Sequence, residues 1–270
     1  MVGVKSVFLS LVLLGVLFSS YIDIVEPKQA RITENQEFYL GTVAPGQTID
    51  FQANPVITEG GKFGTGGNWD QIVVDAVPSG WSGEDSKIYE RPLKAKIKVS
   101  PTAPDGEYEV TLKAVDEGNL DRIGNLTFKL KINVSKEVFN FNVGPESLET
   151  GASQPARIKI RIDNTGYASE VFEVYSEGFP AWNYKKYFHV PYLSQADDYY
   201  EIVINEEKTV RGKIIIKSTS SSLITYEKNV TVSAKSNVYY DYKATSHGIL
   251  LFPFSEQIIY SLISLISQFI

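Results

Sequence analysis

Alternation of charged and apolar residues with a period of two is the feature that most constrains this chain of 270 residues. Successive side chains of a β-strand point to opposite faces of a sheet, so this period predicts strands with one face in a core and the other in water. The clearest examples are residues 94–99, 107–112, 129–134 and 157–162. Clusters of Pro, Asp, Asn, Ser and Gly separate these segments and predict turns. The middle of the chain is therefore predicted to be all-β, with half-buried antiparallel strands.

The pattern repeats once, which predicts two domains. Trp81 and Trp182 each precede a charged stretch and then a long alternating strand, at 93–100 and at 209–217 respectively. Because both Trp residues occupy equivalent repeat positions, we expect both in cores.

Two tandem β-sandwiches are the predicted architecture, over residues 30–135 and 138–236. The linker between them, residues 135–137, is short. A linker this brief predicts a semi-rigid rod.

Several motifs carry a family resemblance: Val77-Pro78-Ser79-Gly80-Trp81, the run from Ser100 to Leu112, Asn164-Thr165-Gly166, and Phe179-Pro180-Ala181-Trp182. Together they resemble the Ig-like domains associated with alpha-galactosidases, which recur in archaeal and bacterial surface proteins. The resemblance implies a non-catalytic extracellular module that is often membrane-tethered. The second half departs from it at the turn 218–222, which lacks the Pro-Asp-Gly of residues 104–106.

The N-terminal residues 1–22 read as an export signal. Lys5 precedes the apolar run 6–22, which is the pattern of a signal peptide. Small residues Ser19 and Ser20 fit the last position before a cleavage site, but the bulky residues before them leave a retained anchor helix as the alternative.

The C-terminal residues 237–270 are predicted to form a linker strand and a hydrophobic, membrane-associated helix. Pro253 breaks the apolar run 248–270, and Ser255 suits the N-cap of a helix over 256–270. The apolar positions of this helix are Ile258, Ile259, Leu262, Ile263, Leu265, Ile266 and Phe269. A polar stripe at helical spacing consists of Gln257, Ser261, Ser264 and Gln268. The stripe fits a membrane helix facing a partner helix, an amphipathic helix on a membrane surface, a helix packed on the protein itself, or self-association.

Composition excludes several function classes. The net charge of −6 disfavours a nucleic-acid partner, and the lack of cysteine rules out disulfides and thiolate metal sites. Only His189 and His247 are present, and no nucleophile or calcium-loop motif occurs. We therefore expect no enzyme activity, no metal and no cofactor.

Three glycosylation sequons begin at Asn125, Asn133 and Asn229. Asn125 and Asn133 lie an even number of residues from Lys129 and Lys131, so a strand would place all four side chains on the same, solvent-exposed face. Occupancy requires export of the chain.

Tyrosine clusters supply amphipathic rings that suit sugar stacking or protein contact. Ordinary packing in the sandwich is the alternative. The candidate contact residues are Tyr184, Tyr187, Tyr192, Tyr199, Tyr200, Tyr239, Tyr240 and Tyr242.

The expected function is that of a non-catalytic, exported and membrane-tethered protein on the extracellular face of the cell membrane, acting as a spacer, adhesion or envelope component. Membrane lipid is the expected partner, with other envelope proteins, further copies or surface polysaccharide as additional ones. The alternatives are a carbohydrate-binding module and a filament or surface-lattice subunit assembled by strand addition, for which 24–43 or 237–245 would supply the strand.

Overall fold

A computed structural model describes residues 20–180 and 184–236, which form two successive β-sandwiches. The strands of sandwich 1 are β1 (Tyr21–Glu26), β2 (Ala30–Ile32), β3 (Glu37–Val43), β4 (Thr48–Val56), β5 (Gln71–Ala76), β6 (Ser82–Glu84), β7 (Leu93–Lys98), β8 (Gly106–Val115) and β9 (Leu126–Val134). The strands of sandwich 2 are β10 (Phe139–Gly144), β11 (Ser147–Gly151), β12 (Pro155–Asn164), β13 (Glu170–Glu177), β14 (Lys186–Val190), β15 (Ser194–Val203), β16 (Lys208–Ser218) and β17 (Thr225–Lys235). Two single-turn 3-10 helices lie at Glu117–Asn119 and Lys136–Val138.

The two sandwiches share the pairing of seven strands and differ at the sheet edges: β6 pairs with β7, whereas β14 pairs with β13 of the other sheet, and β2 has no counterpart among the described strands of sandwich 2. Sandwich 1 packs the sheet β2-β1-β4-β7-β6 on the sheet β3-β9-β8-β5, and sandwich 2 packs β10-β12-β15 on β11-β17-β16-β13-β14. In each, an early strand crosses to the second sheet and pairs in parallel with the last strand, β3 with β9 and β11 with β17. This distribution of strands is Ig-like, as predicted. The expectation of purely antiparallel pairing was wrong for these two pairs, because the crossing strand runs in the same direction as the last strand.

Alternating burial confirms the predicted strand faces. In β7 the apolar residues Leu93, Ala95 and Ile97 are fully buried, while the lysines between them are exposed. Each fully buried Leu or Ile contributes about 1.5–3 kcal/mol to stability relative to an exposed one. The two cores form separate apolar clusters, one per sandwich.

A tyrosine corner fixes the start of β8. The Tyr108 hydroxyl donates to the Pro104 carbonyl oxygen at 2.9 Å, and the Tyr108 ring packs on Trp81 with 5.2 Å between ring centroids. This feature is typical of Ig-like sandwiches. Trp81 is buried, as predicted, whereas Trp182 lies outside the described residues.

Sandwich 1 begins earlier than predicted. Strand β1 starts at Tyr21, not at residue 30, and Ile22 is fully buried in the core. The sheet needs this strand because β1 joins β2 to β4. The segment 24–43 is therefore engaged within sandwich 1 and is not a free donor strand.

The predicted repeat is offset by one strand in the second half, because it matches 93–100, which is β7, with 209–217, which is β16. The counterpart of β7 is β15, since each pairs with the long second strand of its own sandwich, β4 or β12. The alternating strand β16 corresponds instead to β8. The turn 218–222 therefore corresponds to the loop 116–125, and the counterpart of Pro104-Asp105-Gly106 is the loop 204–207.

Candidate functional site

A buried glutamine holds the two sandwiches together at the junction, which we define as loops 44–47 and 99–105 of sandwich 1 with loops 165–169 and 219–224 of sandwich 2. Gln47 is fully buried, and its Nε2 donates to the carbonyl oxygens of Ala168 at 3.0 Å and Ser169 at 3.3 Å. Its Oε1 accepts from the backbone N–H of Ala44 at 2.7 Å. Ala44 packs in the core of sandwich 2, and Ala168 in that of sandwich 1. The junction is thus an interface in which all these polar groups are satisfied.

Two glycines allow the close approach. A Cβ on Gly41 would overlap the ring of Tyr167, and a Cβ on Gly46 would overlap the carbonyl oxygen of Ser220. Gly46 also has φ of +81°, which favours glycine. The approach therefore depends on these two positions having no side chain.

Two further hydrogen bonds cross the junction in the opposite direction to those of Gln47, from donors in sandwich 2 to backbone carbonyls of sandwich 1. The backbone N–H of Tyr167 donates to the Thr42 carbonyl at 2.9 Å. The Ser221 hydroxyl donates to the Pro101 carbonyl at 2.6 Å. Bonds of this kind fix the relative orientation of the sandwiches as well as the distance between them.

A buried carboxyl lies beside the junction at Glu170. Its Oε1 accepts from the Ser220 hydroxyl at 2.9 Å and from the backbone N–H of Val171 at 3.0 Å. Its Oε2 has no hydrogen-bond partner in the part of the chain that the structure describes. Burial raises the pKa of Glu170 above its ordinary value of 4.5, because the charged form loses its hydration.

The predicted contact tyrosines separate into exposed and buried rings. Tyr187 and Tyr199 are exposed, while Tyr184 and Tyr192 are half-buried. Tyr200 is fully buried, so its assignment as a contact residue was wrong. Its ring stacks on Tyr184 and its hydroxyl donates to the Tyr184 carbonyl at 2.7 Å, because the parity of β15 turns residue 200 inward.

An open groove lies beside Tyr199 on the outer surface of sandwich 2. Its lining residues are Arg157, Tyr184, Lys186, Asp198, Tyr199 and Glu201. Arg157 pairs with Glu201 at 2.9 Å, and Lys186 pairs with Asp198 at 2.6 Å. The Lys186 ammonium and the backbone N–H of Tyr199 hold the pKa of Asp198 below its ordinary value. A ring flanked by paired charges can stack on a ligand and offer it both donors and acceptors.

The sequons occupy three different environments. Asn125 and Asn229 are exposed, and Asn229 lies on the outer face of β17. Asn133 is half-buried, and its Nδ2 donates to the Thr42 hydroxyl at 3.2 Å. The amide of Asn133 is thus engaged next to the junction, whereas the other two side chains face solvent.

The predicted terminal segments lie outside the described residues. This applies to residues 1–19 and to all positions of the predicted helix from Gln257 to Phe269, as well as to Tyr239, Tyr240 and Tyr242. Over residues 20–180 and 184–236, no helix has the length and apolar character needed to cross a bilayer. The same residues hold no group of three or more His, Asp or Glu arranged to bind a metal ion.

The two described chain ends lie on opposite sides of the junction. Strand β4 starts at the junction, and Tyr21 pairs with Val56 at its other end. Strand β17 follows the junction loop 219–224 and runs away from it to Lys235. At about 3.3 Å per residue, β4 extends roughly 30 Å from the junction through sandwich 1, and β17 extends roughly 36 Å from it through sandwich 2.

Sequence reasoning missed the residues of the junction. Gly46 ends the turn Ala44-Pro45-Gly46, but nothing in the sequence of that turn indicates a partner loop more than 100 residues away. A glutamine directly after a turn was the one available signal, and it is not specific.

Comparison with known proteins finds only distant similarity to solved structures. No family model matches the chain, and no curated protein matches its sequence. Among solved structures, a chimeric titin Z1Z2 with an exogenous peptide from decorin is 15% identical, with 81% of this chain and 99% of that chain covered and a TM-score of 0.37. The PapD-like domain 7 of human CEP192 is 5% identical over 36% of this chain and 86% of that one, with a TM-score of 0.29. A beta-glucosidase from Listeria innocua is 12% identical over 37% of this chain and 16% of the enzyme, with a TM-score of 0.27.

Proposed function

We propose that this chain is a non-catalytic, exported and membrane-tethered protein of a prokaryotic cell surface, in which the two Ig-like sandwiches act as a stiff spacer. The junction is the observation that carries the proposal. Gln47 is fully buried there and hydrogen-bonded to both sandwiches. The absence of a side chain at Gly46 allows close contact with the backbone of Ser220. A buried, hydrogen-bonded interface disfavours free movement of one domain against the other.

The start of β1 supports export. Because Tyr21 and Ile22 belong to sandwich 1, the apolar run outside the fold shortens to residues 6–20. A helix of this length spans about 22 Å, which is short for a bilayer but typical of the apolar region of a signal peptide. Removal after Ser20 would leave a mature chain whose first residue begins a strand.

The position of the other end supports a tether. Strand β17 ends at Lys235 on the side of sandwich 2 away from the junction, and the apolar segment 248–270 follows. Anchored there, the tandem would hold sandwich 1 away from the membrane. Exposed sequons at Asn125 and Asn229 fit a glycosylated surface protein.

Deletion of residues 248–270 tests the tether. We expect the full chain to sediment with membranes and the shortened chain to enter the soluble fraction, with a mass that shows removal of residues 1–20. A shortened chain that stays in the membrane fraction although its N-terminal segment is cleaved would contradict the proposal.

Carbohydrate binding is a second candidate, favoured by the groove beside Tyr199. The Tyr199 ring is 48% exposed and lies between two ion pairs, an arrangement that suits sugar rings and their hydroxyls. A glycan array should then show binding that Tyr199→Ala abolishes and Tyr39→Ala, a change to an exposed ring in sandwich 1, preserves. Signals at background for the unaltered chain would exclude this function.

A further inference from the structure

Three loops form the end of sandwich 1 that lies farthest from the junction. We call them the outer tip: residues 57–70, 85–92 and 116–125. Backbone hydrogen bonds tie the loops together, from Lys62 N–H to the Asp121 carbonyl at 2.7 Å and from Tyr89 N–H to the Asp70 carbonyl at 2.9 Å. The Trp69 indole N–H also donates to the Gly124 carbonyl at 2.9 Å. The outer tip is therefore a defined surface made of three linked loops.

Each loop of the outer tip exposes a large apolar side chain. Phe63 is 80% exposed, Leu120 is 65% exposed and Tyr89 is 63% exposed, and these are the three highest values for large hydrophobic residues in the described chain. Ile88, beside Tyr89, is also exposed. Exposed apolar residues gathered at one end of a domain mark a contact surface rather than the scattered exposure found on ordinary surfaces.

Phe63 protrudes from the surface, because it is largely exposed and lies in a glycine-rich loop where a Cβ placed on Gly60 or Gly64 would meet no other atom within 4 Å. The Lys62 ammonium lies over its ring, 5.4 Å from the centroid, and the rest of the side chain is open. A projecting ring of this kind needs a partner that can adapt its shape to it. Lipid does this, whereas a protein partner would require a matching pocket for each side chain.

The outer tip is acidic overall, because its three loops hold seven Asp or Glu residues and four Lys or Arg residues. Lys62 precedes Phe63 and Arg122 follows Leu120 by two residues, while the exposed acidic side chains of Glu59 and Glu117 lie in the same two loops. An electrostatic preference for anionic headgroups is not expected from such a surface. Apolar burial would drive the contact, so zwitterionic lipid should suffice.

We propose that the outer tip inserts Phe63, Tyr89 and Leu120 into the surface of a facing membrane. This inference rests on the proposed tether: with the apolar segment 248–270 held in one bilayer, the outer tip is the part of the tandem that points away from it. The protein would then bridge two membrane surfaces, with the tandem setting their separation.

Site-specific fluorescence can test the contact because the chain has no cysteine. The chain from Ser20 onward keeps both described cores and is reconstituted through its C-terminal segment into phosphatidylcholine vesicles. An NBD dye is attached at Thr65→Cys in the outer tip or, as the control, at Ser222→Cys in the junction loop; both residues are exposed. Acceptor vesicles of phosphatidylcholine with brominated chains are then added.

Quenching of the Thr65 dye, but not of the Ser222 dye, is the expected result. The double variant Phe63→Ser and Leu120→Ser should weaken vesicle binding at least about tenfold, and 0.5 M salt should change it less than about twofold. Tyr187→Ser removes a ring of sandwich 2 that is also mostly exposed, at 59%, and should leave vesicle binding unchanged. Thermal unfolding at an unchanged temperature shows that the double variant is folded.

Two outcomes would overturn the proposal. Equal, unquenched emission from both dyes would show that the outer tip does not meet lipid. A spectral change at Thr65 that grows with protein concentration without acceptor vesicles would assign the outer tip to a second copy of the chain. Failure of the tether itself is separate, since the chain would not float with the first vesicles, and the dye at Thr65 would still report on acceptor vesicles added to free protein.

Discussion

The two ends of sandwich 1 are built from the same strands but differ in what their loops expose. At the junction the loops carry small residues and the fully buried Gln47, and they contact sandwich 2 closely. At the outer tip the loops carry Phe63, Leu120 and Tyr89, all largely exposed. The difference shows that loops of one domain can be fitted to a fixed partner at one end and left with projecting apolar side chains at the other.

Strict fit at the junction implies sensitivity to substitution that the outer tip should not share. A buried polar side chain loses its partners when it is shortened, and a glycine in close contact cannot accept a side chain. Exposed apolar residues contribute little to folding because they are not removed from water. Substitutions at the two ends should therefore differ in their effect on stability.

The largest effect is expected for Gly46→Val. The new side chain would overlap the backbone of Ser220 and must also adopt φ near +81°. Gly60→Val is the matched control, since Gly60 has φ of +87° and open space at the Cβ position. We expect Gly46→Val to lower the free energy of unfolding by about 3 kcal/mol more than Gly60→Val, measured by urea denaturation. Equal losses would mean that the junction is not tightly packed.

Gln47→Ala is expected to cost about 2–3 kcal/mol. The substitution leaves the carbonyl oxygens of Ala168 and Ser169 and the N–H of Ala44 without their partner in a buried place. Gln36→Ala removes an exposed glutamine with one local bond and should cost less than about 0.5 kcal/mol. A Gln47→Ala chain as stable as the Gln36→Ala chain would show that water reaches the junction.

Glu170→Gln should have a smaller effect that depends on pH. The folded chain binds the Glu170 proton more tightly than the unfolded chain, so the free energy of unfolding falls as pH rises from 4.5 through the raised pKa. At pH 7 the substitution should therefore stabilise the chain, and at pH 4 it should have almost no effect.

Glu173→Gln is the control of opposite sign for this pH dependence. Its ion pair with Lys185 lowers the pKa of Glu173, so the stability that this carboxylate provides is present above pH 4.5 and is lost on acidification. Removing it should destabilise the chain at pH 7. A loss of stability at pH 7 for Glu170→Gln as well would contradict the assignment of Glu170 as a buried carboxyl with a raised pKa.

The smallest effect is expected at the outer tip. Phe63→Ser and Leu120→Ser should each change the free energy of unfolding by less than about 0.5 kcal/mol, because both side chains already lie mostly in water. Thermal and urea unfolding of each variant check this. A loss above 2 kcal/mol would show that the outer tip is part of the core, and would remove the contrast between the two ends.

The fold could be predicted from the sequence to the level of two Ig-like sandwiches, because half-buried strands leave a strong alternating pattern. Strand β7 shows it residue by residue, and its burial follows the sequence. Strand β15 has the sequence SQADDYYEIV, in which polar and aromatic residues obscure the alternation. The predicted repeat therefore matches β7 with β16, whose alternation is regular, although β15 is the true counterpart of β7.

The candidate sites were less accessible to sequence reasoning because they depend on which surfaces meet. Tyr199 and Tyr200 are adjacent, and only the register of β15 turns one outward and the other into the core. Gln47 and Ala168 are far apart in sequence and meet only when both sandwiches are folded. Ile22 looked like part of an apolar terminal segment because a buried strand and a short membrane segment share the same composition.

The distance between the two sandwiches in solution shows whether the tandem is stiff. Spin labels at Lys96→Cys and Lys217→Cys, two exposed strand positions on different sandwiches, can be read by pulsed electron–electron double resonance because the chain has no other cysteine. A stiff spacer predicts a single narrow distance distribution, which Gly46→Val broadens and Gly60→Val leaves unchanged. A broad distribution in the otherwise unaltered chain would contradict a stiff spacer.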